Sequence, residues 1–410
     1  MLKIKLHWQI LIALFLGVLY GMFLTGYVDY VSWMGTLFLR ALKMVIVPLI
    51  LSSIISGVSN IGTAENLGRL GFKTFVYYVS TSTLAIITGL VVVNLVQPGV
   101  GADLGLAQNV EHLKVTERSF VDTLYSIIPT NIVEAMAKGE MLALIFFAIL
   151  FGYFIMKVEH KYKTQLTDFF NGVFNVMMAI TMFVIKFTPL GILGIVAKVV
   201  ADQASAGGLL NIVGKLGLYM ISVALALLIH GTVTLPAILR FVGKLNPIKY
   251  AKVMTTPLLT AFTTSSSNAT LPLTMEAVEH DAGVSNKITS FTLPLGATVN
   301  MDGTALYECV AAMFIAQAYG IDLSFTQQIV VVITALLASI GAAGVPMAGL
   351  VMMTIILSAV GLPLEGIGLV LTVDRILDMM RTVINVWSDS CGAAVIAKTE
   401  GETLKIEETK

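Results

Sequence analysis

Charged side chains are scarce in this chain of 410 residues. Asp, Glu, Lys and Arg make up 12% of it and hydrophobic residues 57%, against about 25% and 45–50% in soluble domains. Because the net charge is +0, nothing in the composition favours nucleic acid as a partner. Apolar runs reach about 20 residues without alternation, which is the length of a helix that crosses a bilayer. The composition predicts an all-α polytopic membrane protein embedded in a lipid bilayer.

Cysteine is also rare, with 2 residues in the chain. Cys309 and Cys391 lie far apart in apolar segments and match neither a CxxC pair nor a zinc-binding spacing, so we interpret both as packing residues. The apolar segments contain no serine–histidine or metal-ligand cluster, and the YD and GxGD contexts of intramembrane aspartyl proteases do not occur. We therefore expect no enzyme activity and no bound cofactor.

Apolar segments succeed one another along most of the chain. Six of them lie at about 10–26, 34–58, 74–97, 119–156, 170–198 and 208–240. Two interrupted segments follow at about 250–278 and 326–359, each with a helical segment after it, at 288–318 and 364–397. This order fits eight transmembrane helices plus two re-entrant helical hairpins, each of which enters and leaves the membrane on one side.

Lysine and arginine indicate the orientation. They cluster at the N-terminus and around 69–73, 157–163 and 240–252, whereas the loop 26–33 contains neither residue. By the positive-inside rule, the basic loops are cytoplasmic. With an even number of spans, the polar tail 399–410 is cytoplasmic as well. We expect a multi-pass protein of the cell membrane with both termini in the cytoplasm.

The two interrupted segments each contain a run of small residues, TTSSSNAT at 263–270 and SIGAAGVPMAG at 339–349. Each run favours two half-helices that meet at a tip with free backbone groups. Such backbone is tolerated in a membrane only where it lines a cavity or is buried in protein. Paired broken segments of this kind are typical of transporter binding sites.

The last apolar segment carries a polar stripe. At ~100° per residue, its polar residues fall on one face of a helix and extend over about 22 Å at ~1.5 Å per residue. They are Asp374, Asp378, Arg381, Thr382, Asn385 and Asp389. Charges at membrane depth cost about 2.5 kcal/mol or more each and usually serve a function. The stripe predicts one wall of a binding site or an ion path.

An Asn-x-Asp-Gly run at Asn300, Asp302 and Gly303 predicts a break in the helix that precedes it. The freed carbonyls, with a carboxylate and an amide beside them, suit a small hard cation; a kinked helix with self-satisfied polar groups is the alternative. Glu308, about one turn farther on, is a candidate proton carrier unless a basic residue pairs with it permanently. His230 is interpreted as a packing histidine.

Four motifs occur in the order TTSSSNATLP, TLPLGATVNMDGTALYE, ASIGAAGVPMAG and LDMMRTVINVWSDS. Together they resemble the glutamate transporter family, the dicarboxylate/amino acid:cation symporters, over essentially the whole chain. The resemblance implies a homotrimer in which a mobile transport domain moves across the bilayer against a rigid scaffold, as an elevator. The implied scaffold comprises 1–70 (spans 1 and 2) and 99–200 (spans 4 and 5). The implied transport domain comprises 71–98 (span 3) and 201–398 (spans 6 to 8 with both hairpins). Residues 399–410 are the cytoplasmic tail.

By this resemblance, Arg381 pairs with the side-chain carboxylate of the substrate and Asp378 with its amino group. Contacts to the main-chain carboxylate and the remaining polar atoms come from Thr382 and Asn385. The hairpin tips and the broken helix complete the pocket through Ser265, Ser267, Thr304, Val345 and Gly349.

The residue types agree with that placement. An arginine fork suits a carboxylate, and an aspartate one turn away suits an ammonium. The pair indicates L-glutamate or L-aspartate as the substrate. A neutral amino acid symporter would not need Arg381 and a C4-dicarboxylate symporter would not need Asp378; both remain the alternatives within the same fold.

The resemblance also implies three cation sites. The first consists of Gly296, Asn300, Asn385 and Asp389. The second consists of Thr298, Ser339, Ile340 and Ala342, the last standing where archaeal members have threonine. The third consists of Tyr78, Thr81, Ser82, Asn300 and Asp302.

The coupling ion stays open between H⁺ and Na⁺. Glu308 stands where the proton-cotransporting members have Glu and the archaeal sodium-only members have Gln. Trp387 and Ser388 stand where relatives often have a small residue and Gly, and their bulk can reshape the first cation site. Ser265 replaces the hairpin arginine of the archaeal carriers, and Arg375 is expected to supply the charge instead.

Overall fold

The computed structural model describes residues 6–61, 68–102, 125, 128–138, 140–204, 209–341, 348–371 and 373–408. Within these residues the regular elements are helices and no strand occurs, so the expectation of an all-α protein is confirmed there. Two predicted site residues, Ala342 and Val345, lie outside the described residues.

The N-terminal half of the described chain begins with long helices. Its helices are α1 (Leu6–Phe23), α2 (Asp29–Ile61), α3 (Gly68–Val96), α4 (Ile132–Lys138), α5 (Met141–Ile155), α6 (His160–Ile185) and α7 (Thr188–Ala204). A short 3₁₀ turn, Thr25–Tyr27, joins α1 to α2.

The C-terminal half is divided into shorter pieces. Its helices are α8 (Leu209–Ile229), α9 (Leu235–Phe241), α10 (Pro247–Val253), α11 (Thr255–Thr264), α12 (Ser267–Glu276), α13 (Asn286–Val299), α14 (Asp302–Ala318), α15 (Phe325–Gly341), α16 (Ala348–Ala359), α17 (Ile367–Leu371), α18 (Asp374–Thr399) and α19 (Lys405–Glu408). Two π-helical turns lie at His230–Thr234 and Ala277–Asp281, and a 3₁₀ turn lies at Leu364–Gly366.

Three stretches of the described chain are long and apolar enough to cross a membrane as single helices. They are Arg69–Val96, His160–Ile185 and Gly214–Phe241. Other apolar helices are shorter, among them Ala143–Ile155 and Phe325–Ser339. These lengths and compositions are consistent with a membrane protein. The count of eight spans with two re-entrant hairpins stays a prediction.

The long helices pack in two groups. In the first, α2 contacts α5, α6 and α7, and α1 contacts α7. In the second, α14 and α18 contact each other, and both contact α3 and α8. Helices α15 and α16 lie between the groups, because both pack against α2 while α16 also packs against α14.

The two central helices of the second group are almost completely enclosed. Every residue of α14 except Gln317 is buried, and so is every residue of α18 from Asn385 to Ala397. A helix that is buried on all sides has to satisfy its polar side chains within the protein. The polar residues of α14 and α18 must therefore bond to each other, to neighbouring helices or to a ligand.

The predicted break in the chain before α14 is confirmed. Helix α13 ends at Val299, and Asn300 (φ −105°, ψ 75°) and Met301 (φ −106°, ψ 62°) are not helical before α14 begins at Asp302. The interruption leaves the last carbonyls of α13 and the first amides of α14 without helical partners. Both sets of backbone groups then lie beside the buried part of α18, which packs against both helices.

A second break separates α11 from α12 in the TTSSSNAT motif. Ser265 ends α11 in the left-handed region (φ 51°, ψ 39°). Ser266 then starts α12 as its N-cap, because its hydroxyl accepts a hydrogen bond from the Ala269 amide at 3.2 Å. The two helices pack against each other and against α18. They form the helical hairpin that the sequence predicts, and its position in a membrane stays a prediction.

Basic residues of α3 hold the end of α18. Lys73 Nζ lies 2.6 Å from Glu400 Oε1 and 2.8 Å from the Thr399 carbonyl. Arg69 Nη2 lies 2.5 Å from Glu400 Oε2. Hydrogen bonds from Lys73 and then Arg69 lower the pKa of the Glu400 carboxyl below its ordinary value. These contacts fix the position of α18 relative to α3, the helix that supplies part of the site.

Helices α2 and α7 approach closely at Gly194. A Cβ atom on Gly194 would lie 2.5 Å from the Val31 carbonyl oxygen and 2.7 Å from the Gly35 amide nitrogen. Both atoms belong to the backbone of α2 and cannot rotate away. Any larger residue must therefore push the helices apart and weaken their packing.

We expect Gly194→Ala to lower the melting temperature of the detergent-solubilised protein by several degrees, because the added methyl group meets backbone atoms. The matched control is Gly172→Ala in α6, where a Cβ meets no atom within 4 Å and the alanine improves helix propensity. A thermal-shift measurement on both variants tests this. Equal melting temperatures for the two variants would contradict the packing described here.

Candidate functional site

The polar stripe of α18 lies on the buried face of the helix. All six of its members are buried: Asp374, Asp378, Arg381, Thr382, Asn385 and Asp389. Helix α18, which carries the stripe, packs against α14, the hairpin helices α11 and α12, and α13. Both interrupted segments of the described chain therefore pack against the helix that carries the stripe.

Arg381 lies between two carboxylates and an aromatic ring. Its Nε and Nη2 atoms donate to Asp378 Oδ1 at 2.9 and 2.7 Å, and its Nη1 lies 3.3 Å from Asp374 Oδ1. The guanidinium carbon is 4.3 Å from the centre of the Tyr307 ring, within the range of a cation–π contact. The arginine side chain is 2% exposed, so these groups hold a buried charge in one orientation.

Some bonding capacity of this cluster remains unused among the described residues. Arg381 Nη1 and Asp378 Oδ2 form no hydrogen bond there. Arg375 Nη1 lies 3.7 Å from that aspartate oxygen, so its positive charge is beside Asp378; that it replaces the hairpin arginine stays a hypothesis. A buried donor and a buried acceptor that form ion pairs but no hydrogen bond among the described residues are a binding opportunity for a ligand that carries both charges.

Asn385 ties α18 to the start of α14. Its Oδ1 accepts hydrogen bonds from the amides of Gly303 (2.8 Å) and Thr304 (3.3 Å), and its Nδ2 donates to Thr304 Oγ1 at 3.0 Å. The side-chain amide therefore caps the N-terminus of α14. Thr382 forms a different bond, since its hydroxyl donates to the Asp378 carbonyl at 2.7 Å.

Of the predicted hairpin residues, Gly349 lies close to this cluster. A Cβ atom on Gly349 would be 2.7 Å from Arg381 Nη1, so the first turn of α16 lies directly against the guanidinium. Ser265 and Ser267 are buried at the α11–α12 tip, and the Ser265 hydroxyl forms no hydrogen bond to any described group. The position of Gly349 is compatible with the predicted pocket, and the roles of Ser265 and Ser267 stay predictions.

Glu308 is enclosed in α14, one turn beyond Thr304. The residue is 0% exposed, and neither of its carboxyl oxygens forms a hydrogen bond within the described chain. A permanent ion pair, the alternative to a proton carrier, would require such a partner. The geometry therefore favours the carrier.

Asp302 is the acceptor at the centre of the predicted third cation site. Its Oδ1 accepts from Ser82 at 2.6 Å and from Thr81 at 3.4 Å. Its Oδ2 accepts from Ser388 at 2.6 Å and lies 3.1 Å from His230 Nε2. Four side chains from three helical segments thus surround this one carboxylate.

Asn300 connects the third site to the first. Its Nδ2 donates to Asp389 Oδ1 at 2.9 Å and to Ser388 Oγ at 3.0 Å, and its Oδ1 accepts from Thr81 at 3.3 Å. A Cβ atom on Gly296 would lie 2.5 Å from Asp389 Oδ1, so the Gly296 backbone borders the same carboxylate. The residues predicted for these two sites are therefore neighbours.

Tyr78 takes part in a different way from the other α3 residues. Its hydroxyl donates to the Thr292 carbonyl at 2.6 Å, which ties α3 to α13. The hydroxyl hydrogen is therefore committed to backbone.

The predicted second cation site is less complete. Thr298 is exposed and its hydroxyl donates to the Leu295 carbonyl at 3.0 Å. The Ser339 hydroxyl donates to the Leu336 carbonyl at 2.7 Å. Both bonds stay within one helix, although α13 and α15 pack together. With Ile340 at the last turn of α15 and Ala342 outside the described residues, this site stays a prediction.

Two residues outside the predicted substrate and cation sets also reach the site. His230, interpreted as a packing histidine, contacts Asp302 from the π-helical turn after α8. Asp374, which the stripe included but the predicted substrate set did not, contacts Arg381. The periodicity of α18 was a signal for Asp374. No comparable signal exists for His230, because its partner is 72 residues away.

The bulk of Trp387 is directed away from the cation sites. Its indole nitrogen donates to the Gly231 carbonyl at 3.0 Å, and its ring lies 5.7 Å from that of Tyr250. It borders an apolar groove of about 840 Å³ between α8, α9, α10, α11 and α18. The lining of that groove is too apolar to receive a charged substrate. Of the two departures next to Asp389, the one that enters the site is Ser388.

Comparisons with known proteins agree with this geometry. A family model described as the sodium:dicarboxylate symporter family matches residues 6–399. The chain is 36% identical to the proton/glutamate-aspartate symporter of Escherichia coli (strain K12), over 97% of this chain and 94% of that protein. It is 36% identical to the proton/sodium-glutamate symport protein of Geobacillus stearothermophilus, over 98% and 96%, and 37% identical to excitatory amino acid transporter 3 of Mus musculus, over 97% and 87%. The resemblance carried by the four motifs is confirmed, and the chain belongs to the sodium:dicarboxylate symporter family.

Proposed function

We propose that the protein is a secondary active symporter that takes up acidic amino acids, L-glutamate or L-aspartate, coupled to H⁺, Na⁺ or both. The observation that carries the proposal is the buried Asp378–Arg381 pair, in which one donor and one acceptor remain unused. The names of the bacterial relatives, which mention glutamate, aspartate, protons and sodium, agree with it.

Substrate recognition follows from the two charges. Arg381 Nη1 donates to the side-chain carboxylate of the substrate, and Asp378 Oδ2 accepts from its ammonium group. Because Asp374 and Tyr307 hold the guanidinium from other sides, the arginine is oriented before the substrate arrives. Thr382 and Thr304 supply hydroxyl groups near the main-chain carboxylate, and backbone groups of the hairpin tips close the pocket.

The alternatives within the fold fit the site less well. A neutral amino acid would leave the Arg381 guanidinium without an incoming anion in a buried position. A C4-dicarboxylate would place a second anion near Asp378 and would bring no ammonium to it. Like charges in a buried site repel strongly, because the local dielectric constant is low. The acidic amino acid is the substrate that matches both charges.

Transport is proposed to follow the elevator mechanism of a homotrimer with eight transmembrane helices and two re-entrant hairpins per protomer. The mobile domain comprises 71–98 and 201–398, and the scaffold comprises 1–70 and 99–200. The packing supports this division, since α14 and α18 are enclosed by α3, α8 and the hairpin helices, whereas α1, α2 and α5 to α7 contact one another. Both termini are proposed to lie on the cytoplasmic side of the cell membrane.

Coupling to protons is proposed to use Glu308, and coupling to Na⁺ the oxygen atoms around Asp302 and Asp389. A carboxyl group with no bonded partner can bind a proton without breaking another contact. Once protonated, Glu308 adds no negative charge to a domain that carries an anionic substrate. The proton thereby lowers the cost of moving that domain through the bilayer.

We expect Arg381→Ala to abolish glutamate uptake into proteoliposomes, and Arg381→Lys to lower the apparent affinity about tenfold or more because lysine keeps the charge but lacks the fork. The matched control is Arg240→Ala, which removes an exposed arginine. Uptake of radiolabelled glutamate tests all three. Unchanged glutamate uptake by Arg381→Ala would overturn the assignment of the substrate site.

We expect Glu308→Gln to abolish uptake driven by an inward proton gradient in sodium-free buffer, because the amide cannot carry a proton. Glutamate binding to the solubilised variant should persist, since the amide is close in size to a protonated carboxyl. The control is Glu276→Gln, which replaces an exposed carboxylate. Wild-type proton-driven uptake by Glu308→Gln would exclude this residue as the carrier.

A further inference from the structure

We infer that Ser388 determines the preference for the coupling ion, because its hydroxyl competes with Na⁺ for the Asp302 carboxylate. The inference rests on the proposed function, in which Na⁺ and H⁺ are alternative coupling ions, and it adds a residue to that function. Ser388 was noted in the sequence as a departure from Gly, and no cation site predicted from the resemblance includes it.

The Asp302 carboxylate is supplied with donors on both oxygens. Ser82 and Thr81 donate to Oδ1, while Ser388 and His230 lie at Oδ2. A carboxylate has about four lone-pair sites. Ser82 and Ser388 each occupy one with a bond of 2.6 Å, whereas the Thr81 hydrogen is shared with the Tyr77 carbonyl at 3.1 Å. Asp302 is 0% exposed, so its donors come from the protein. A cation that binds to either oxygen therefore competes with one of these short bonds.

Ser388 is the donor with the most constrained hydroxyl. Its oxygen accepts from Asn300 Nδ2 at 3.0 Å, and its hydrogen points to Asp302 Oδ2 at 2.6 Å. Turning that hydrogen away from the carboxylate would break a short hydrogen bond to a charged acceptor in a fully buried place. Such bonds are among the stronger ones in proteins. Na⁺ binding at Oδ2 therefore has to overcome the loss of this bond.

The backbone around Ser388 prevents an easy rearrangement. Trp387, the preceding residue, is anchored by its bond to the Gly231 carbonyl. The following residue, Asp389, accepts from Asn300, the same side chain that donates to Ser388. The rotation of α18 at this point is thus fixed on both sides of the serine. An alanine at position 388 would remove the competing donor and also the Ser388 acceptor of Asn300 Nδ2, which keeps its bond to Asp389 Oδ1. A glycine would remove Cβ as well.

The test is a Na⁺ titration of thermal stability with the detergent-solubilised full chain. A ligand that binds the folded protein raises its melting temperature with concentration, so the half-saturating Na⁺ concentration can be read without transport. Sodium chloride is exchanged for choline chloride at constant ionic strength. The variants are Ser388→Ala and Ser388→Gly. The matched control is Ser390→Ala, since the Ser390 hydroxyl is equally buried and donates to the Trp387 carbonyl at 2.8 Å.

We expect both Ser388 variants to be half-saturated at a Na⁺ concentration about tenfold lower than the wild type, and Ser390→Ala to behave like the wild type. If one of the two Ser388 variants does not fold, the other gives the same comparison, because both lack the hydroxyl. The inference would be overturned if the Na⁺ dependence of the melting temperature in the Ser388 variants were unchanged, weaker or missing. A weaker dependence would identify Ser388 as a Na⁺ ligand.

A parallel titration with glutamate separates this inference from the proposed function. The proposed substrate would be contradicted if glutamate did not raise the melting temperature of the wild-type protein under any of the conditions tested. These are NaCl and choline chloride, each at neutral and acidic pH. The Na⁺ comparison between the Ser388 variants and the wild type would still decide the role of the serine.

Discussion

The buried charge of Arg381 is the constraint on which the rest of the site depends. A guanidinium in the low-dielectric interior of a membrane protein must be paired, and here Asp378, Asp374 and the Tyr307 ring hold it. Those groups come from α14 and α18, which are enclosed by their neighbours. In the buried part of the cluster two carboxylates meet one arginine, since Arg375, the second cation beside Asp378, is partly exposed. The buried part is therefore suited to a substrate that brings its own ammonium group.

The breaks in the helices supply free backbone groups beside α18, which uninterrupted helices do not. Between α13 and α14 the chain frees backbone groups and places Asn300 and Asp302 beside α18. Asn385 closes one side of this gap by capping α14, and Asn300 joins Asp389 to Ser388. The substrate cluster and the cation cluster therefore share the same two helices. Binding at one cluster can influence the other through Asn385, which is in both predicted sets.

Much of this arrangement could be predicted from the sequence, because it depends on periodicity and on local breaks. The spacing of Asp378, Arg381 and Asn385 places them on one face of any α-helix, and the Asn-x-Asp-Gly run interrupts α13 and α14 as predicted. Contacts across helices could not be derived from periodicity, and those of Thr81 and Ser82 with Asp302 were implied only by the family resemblance. His230 meets Asp302, and Trp387 turns to Gly231 while Ser388 turns to Asp302, because packing and side-chain rotamers decide these contacts.

The central claim is that the site selects for an ammonium group and two carboxylates together. The most direct measurement is competition against radiolabelled glutamate uptake in proteoliposomes, with aspartate, succinate and alanine as unlabelled competitors at equal concentration. The account predicts that aspartate competes strongly while succinate, which lacks the ammonium, and alanine, which lacks the second carboxylate, compete weakly. Competition by succinate equal to that of aspartate would contradict the role assigned to Asp378, and equal competition by alanine would contradict the role assigned to Arg381.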